Sequence, residues 1–199
     1  FDQTTGEVKI IPREYSKTTL KLSGMDGYNN AIQALDEVAS IYKNDAYATS
    51  SKSLTVDDVN KVEGYDPTEV ASGSASATAS GNGEVSYSWN HRYGMDENLN
   101  IVDYGEGNVG ERTYVKTPAY YYKTENFSNW HCWLASRCVY LDSNNCYFNV
   151  CGLDYGHVYS NGSYLFNVES GGGTSGNYNG FSVVPVVTLK STVHMEKVN

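Results

Sequence analysis

The chain has 199 residues, with 14 Lys and Arg against 23 Asp and Glu, a formal net charge of −9, and it carries 18 Tyr and 19 Gly. That length is ample for one domain with a sizeable core. The acidic balance excludes a general affinity for nucleic acid or an anionic membrane surface, which need a basic footprint.

No run approaches the roughly 18 consecutive apolar residues of a membrane-spanning helix, and no signal-peptide pattern is present. The chain opens Phe1-Asp2-Gln3, which reads as a mature or trimmed fragment. Glu7 to Pro12 (EVKIIP) reads as a short strand closed by proline. From Asp26 or Gly27 a helix is expected, because Ala31, Ile32, Leu35, Val38, Ala39 and Tyr42 recur at helical spacing within Tyr28 to Asn44. Thr55-Val56-Asp57-Asp58 reads as an N-cap followed by an acidic first turn, opening a short helix to about Val62 that ends before Gly64.

Residues 71–84, rich in Ala, Ser and Gly, read as a flexible surface loop within one domain spanning 1–199. β-like runs follow at Val85 to Trp89, Asn100 to Tyr104 and Thr113 to Tyr122, with Gly105, Gly107 and Gly110 marking turns. Gly171-Gly172-Gly173 reads as a hairpin tip. Val183 to Leu189 is apolar enough for a central strand, although Pro185 argues for an edge or bulge position. An early and a late strand of this kind are expected to pair and bring the ends of the chain together.

Cys132, Cys138, Cys146 and Cys151 fall within twenty residues, separated by five, seven and four residues. Zinc sites usually bring thiolates in close pairs, so no metal is expected. Tolerated thiols and disulfides stay open, and four cysteines allow three pairings. Asp142 with Asn144 and Asn145 lacks the glycine and terminal Glu of a calcium loop. No nucleophile, base and orienting group fit a reaction, so neither catalysis nor a cofactor is expected.

The segment from Cys138 to Phe181 has its own vocabulary. Asn, Tyr, Ser and Gly supply 26 of its 44 residues. Lys, Glu, Gln, Met and Trp number 25 in residues 1–137, yet only Glu169 represents them in this segment. An Asn codon randomised at its two adenines yields Asn, Tyr, Ser, Gly, Asp, Cys and His among others, and never Lys, Glu, Gln, Met or Trp. Val139, Leu141, Phe148, Val150, Val158, Leu165 and Phe166 recur as apolar anchors, and alternation predicts their neighbours on an exposed face. Tyr with Ser, Gly and Asn is the composition of antibody paratopes: rigid aromatic contact area beside adaptable hydrogen bonding. Trp133 is expected in the core.

Trp133-Leu134-Ala135-Ser136-Arg137, the anchored segment, Leu165-Phe166 and Val183 to Leu189 together resemble the variable proteins of diversity-generating retroelements. In that family of bacteria and their phages, an error-prone reverse transcriptase rewrites adenine positions near the 3′ end of the gene. The resemblance implies an α+β, C-type-lectin-like fold: two helices on irregular antiparallel sheets, paired terminal strands and long loops. It also implies a variable, ligand-binding region over residues 138–181. Its contact residues would be Cys138, Tyr140, Asp142, Asn144, Tyr147, Asn149, Cys151, Asp154, His157, Tyr159, Asn161, Tyr164, Asn167, Asn177, Tyr178 and Asn179.

The partner implied is a surface protein or glycan met outside the cell or on a virion, with no nucleic acid and no membrane insertion by this fragment. Gly27 to Ala31 and Ser53 to Lys61 also resemble members with a prepilin-like or surface-anchored N-terminus, which implies assembly into a pilus or virion through a preceding segment. Two departures stand out. Relatives tend to carry Arg before the proline of the last strand, where this chain has Val184, and the calcium-dependent sugar motifs of animal lectins are absent. The alternative from a different class is a pilin-like or phage-tail subunit whose Tyr-rich face packs on its neighbours.

Overall fold

The computed structural model describes residues 6–15, 19–65, 80–82, 91–96, 98–106, 115–117, 121–141, 146–159, 164–169, 172–175 and 180–193. In chain order these form β1 (Lys9–Ile10), β2 (Thr19–Leu20), α1 (Gly24–Asn29), α2 (Ala31–Ser40), β3 (Ala48–Ser53) and α3 (Val56–Glu63). Short strands follow: β4 (Ser80–Asn82), β5 (His91–Met95), β6 (Ile101–Glu106), β7 (Val115–Thr117) and β8 (Tyr121–Lys123). The C-terminal half contains β9 (His131–Leu141), β10 (Cys146–Asp154), β11 (His157–Tyr159), β12 (Tyr164–Glu169), β13 (Gly172–Ser175), β14 (Phe181–Ser182) and β15 (Pro185–Leu189). A few helices beside largely antiparallel sheets make the class α+β.

The first sheet has the order β1-β15-β3, so the early and late strands do pair, Lys9 opposite Thr188. The apolar Val183–Leu189 run supplies its central strand. Pro185 does not push that strand to the edge, because it takes the first position of β15, where a missing N–H is tolerated. The larger sheet runs β13-β12-β10-β9-β14-β2, and the β11–β8 pair extends from β10. Within it β14 meets β9 in parallel at Ser182 and Cys132, while the other pairings are antiparallel.

Strands β9 and β10 are buried on both faces. Trp133, Ala135 and Val139 of β9 join Phe148 and Val150 of β10 in a cluster with Tyr28 of α1 and Ala31, Leu35 and Ala39 of α2. Cys132, Leu134 and Cys138 join Cys151 and Leu153 in a second cluster with Val56 and Val59 of α3 and with Val184 and Val186. The period of two thus feeds a separate core on each side of the sheet. Trp133 sits in the first as expected, fully buried, and its indole N–H donates to the Leu20 carbonyl at 2.8 Å.

The sequence predicts one helix over Tyr28 to Asn44, whereas the chain makes α1 and α2 with a break at Asn30, and Ile41 to Asn44 lie beyond α2. The break coincides with a long-range tie. The Asn29 side chain takes the place of a strand partner, accepting from Ile101 N–H at 2.7 Å and donating to Ile101 C=O at 3.1 Å. Arg137 ties the same place down: its guanidinium donates to Asn100 Oδ1 at 2.8 Å and to the Asn98 carbonyl, and lies over the Tyr28 ring at 5.3 Å.

The short helix is as predicted. Thr55 and Asp58 form a reciprocal capping box, and Gly64 closes α3 in the left-handed region at φ 68°. Of the residues 71–84 expected as a flexible loop, Ser80–Asn82 form a strand paired with Val115–Thr117, and the rest lie outside the described residues, as do Val85 to Trp89. Of the three-glycine run, Gly172 and Gly173 belong to β13, opposite Glu169 and Val168.

Candidate binding surface

Strand register decides which candidate contact residues meet. Tyr147 on β10 stands opposite Tyr140 on β9 and Asn167 on β12. Asn149, two residues on, stands opposite Cys138 and Tyr164. At the far end of β10, Asp154 faces His131 on β9 and His157 on β11, and Tyr159 faces Gly152. Tyr147 and Asp154 are seven residues apart on one strand, about 23 Å at a typical strand rise. The candidates therefore fall into two groups, one at each end of β10. Asp142, Asn144, Asn161, Asn177, Tyr178 and Asn179 lie outside the described residues.

Burial separates the candidates further. Tyr147, Asp154, His157 and Tyr159 are partly exposed. Cys138, Asn149, Cys151 and Asn167 are not, at 2%, 0%, 0% and 1%. Alternation predicts Asn149 and Asn167 on an exposed face, but the face opposite the anchors is covered where these residues stand. Cys138 and Cys151 belong to the second core cluster. The anchors Val139, Phe148, Val150, Val158, Leu165 and Phe166 are all buried.

The group at the β10–β11 turn has the more defined chemistry. Tyr155 and Gly156 have φ of 45° and 78° between the paired residues Asp154 and His157. Positive φ at both positions is what a two-residue type I′ hairpin needs. Gly156 is required twice over: a Cβ there would lie 2.6 Å from Ser128 Cα. Its carbonyl accepts from Thr124 N–H at 2.6 Å and from Thr124 Oγ1 at 2.8 Å, which fixes the turn to the rest of the sheet. Tyr155, at the tip, is 77% exposed. A tyrosine in left-handed backbone is sterically disfavoured.

Beside it, His131 Nδ1 and Asp154 Oδ1 are 2.6 Å apart, and the imidazole makes a T-shaped contact with Phe181, ring centroids 4.0 Å apart. A His–Asp pair fixes the ring and points Nε2 away from the carboxylate, an arrangement that can donate to or accept from a ligand. Tyr159 lies over Gly152, whose Cβ position is 3.6 Å from the phenol oxygen, and it packs partly against the first core cluster. Tyr155 and His131 were not legible as site residues. Type I′ turns favour Asn-Gly or Asp-Gly, so Tyr-Gly between Asp154 and His157 is a weak turn signal.

Among the described residues, no group of three or more His, Cys, Asp or Glu is placed to hold a metal ion. No helix among them is long and apolar enough to cross a membrane. Cys132, Cys138 and Cys151 are buried thiols, and burial pushes the Cys132 thiol well above its ordinary pKa. A cleft of about 390 Å³ lies elsewhere, between β1, β3, β15 and the helices, and none of the candidate contact residues borders it. No protein-family model, curated protein or solved structure shows significant similarity to this chain.

Proposed function

We propose that this chain is a non-enzymatic binding protein with a C-type-lectin-like fold, and that its segment 138–181 carries a contact surface diversified as in variable proteins of diversity-generating retroelements. The observation that carries the reading is a coincidence of composition and packing. The stretch written in Asn, Tyr, Ser and Gly is also where buried anchors alternate with partly exposed Tyr147, Asp154, His157 and Tyr159 and with exposed Tyr155. Binding is non-covalent: tyrosines supply contact area and fixed strands limit the ordering cost. The ligand class is a protein or glycan on another surface, met outside the cell or on a virion. The surface works as two sub-patches at the ends of β10, with Tyr147 in one and Tyr155, His131 and His157 in the other.

The test is genetic. DNA near the gene should hold a near-copy of the stretch encoding Trp130 to Leu189, with adenines wherever the copies differ, beside a reverse transcriptase gene. A genome with neither element contradicts diversification.

One observation favours the second reading, a pilin-like or tail subunit. Ile41 (79% exposed), Tyr42 and Tyr47 stand together in sequence between α2 and β3, outside the diversified segment. Subunit packing would cover such residues, and sedimentation of the pure chain separates the readings: a monomer at micromolar concentration counts against self-assembly by this chain.

A further inference from the structure

Cys138 and Cys151 sit on neighbouring strands with their side chains in the second core cluster, and their sulfurs are 3.6 Å apart. We propose that these two residues are a disulfide site, closed when the chain folds in an oxidising medium, which joins β9 to β10 across the middle of the diversified segment. The sequence alone leaves three pairings open among four cysteines. The geometry favours one, because among the described cysteine side chains the sulfur contact joins Cys138 to Cys151, while Cys132 lies six residues earlier on β9.

The backbone supports the same pairing. Cys138 faces Asn149, and Cys151 falls where the β9–β10 register slips between Val150 and Gly152. Such an irregularity bends and twists the strand pair. Here it accompanies two thiols in van der Waals contact at 3.6 Å, against a bonded distance of about 2.0 Å.

The chemistry is thiol–disulfide exchange with a small disulfide such as oxidised glutathione as the oxidant. One cysteine thiolate attacks a glutathione sulfur and expels glutathione thiolate. The second cysteine thiolate then attacks the protein sulfur of that mixed disulfide and expels the other glutathione. The two cysteines lose two electrons and two protons, and one oxidised glutathione becomes two reduced ones. Both sulfurs are shielded in the folded chain, so exchange takes place before the second cluster closes, and the finished bond resists reductant until the fold opens. The bond pins the register of β10 between Tyr147 and the Tyr155 turn. It does not depend on what those residues contact.

The experiment is refolding of the whole chain in a reduced and oxidised glutathione mixture, followed by alkylation and non-reducing peptide mapping. Trypsin cannot separate the sites, because no Lys or Arg lies between Arg137 and Lys190, so chymotrypsin is used to cut after Tyr140, Tyr147 and Phe148. The expected result is a 2 Da loss, a peptide pair joining Cys138 to Cys151, Cys132 alkylated, and a Tm about 5–10 °C above that of the reduced protein. The Cys132→Ser/Cys146→Ser variant should form the same link as a monomer. Four alkylated cysteines after oxidative refolding, or a link through Cys132 or Cys146 in place of this one, would overturn the proposal.

Discussion

At Tyr155 and Gly156 two adjacent residues hold left-handed backbone, and only one of them is a glycine. The glycine is dictated by space as well as by φ. Gly156→Ala would press a methyl group into the Ser128 backbone, and is expected to cost about 2–4 kcal/mol in urea unfolding. Tyr155 presents the opposite case, since its ring stands exposed at the tip and its ring contact is a loose one, 6.2 Å from His131 between centroids. Tyr155→Asn, which tolerates the conformation better, should raise stability by about 0.5–1 kcal/mol. A stability gain there, with loss of binding to any ligand found, would mean that strain is retained for contact. Thermal melts of the two variants beside the parent check both signs.

Among the elements, α3 was the most legible, because its start and stop signals are local. Thr55 caps, Asp58 returns the hydrogen bond and Gly64 ends the helix, all within ten residues. Thr55→Ala should therefore destabilise the protein by about 1 kcal/mol, measurable by chemical denaturation. The split between α1 and α2 was not legible, since its cause is distant: Asn29 bonds to Ile101, 72 residues away.

The turn that leads into β6 adds a pH dependence. Hydrogen bonds from the Asn100 side chain and backbone, with a smaller contribution from Asn98, hold the Asp96 carboxyl below its ordinary pKa of 3.8. A lowered folded-state pKa gives stability that is present above the unfolded value and lost as pH falls through the folded one. Between about pH 5 and pH 2.5 the parent should lose more Tm than Asp96→Asn, which lacks the titrating group. Equal slopes for the two proteins would show that the turn contributes nothing to acid sensitivity.

At the scale of the whole molecule, the two cores on either side of β9 and β10 explain what the sequence could and could not reveal. Apolar anchors at a period of two were readable, and every one whose side chain is described is buried. The reading of their neighbours assumed a wet opposite face. That holds for Tyr147, and fails at Asn149 and Asn167, where polar side chains are buried within the sheet. Asparagine gives no local sign of whether its amide meets water or protein, because its donors and acceptor can bond to either. The surface proposed for contact is accordingly narrower than the compositional segment that contains it.

The most direct measurement is a comparison of two display libraries sorted for protease resistance. In one, Tyr147, Tyr155 and His157 are randomised together; in the other, Phe148, Asn149 and Asn167 are. The expected result is that most members of the first library stay folded, with Tm within about 5 °C of the parent, while most of the second do not. Comparable collapse of both libraries would contradict a rewritable surface on a fixed core.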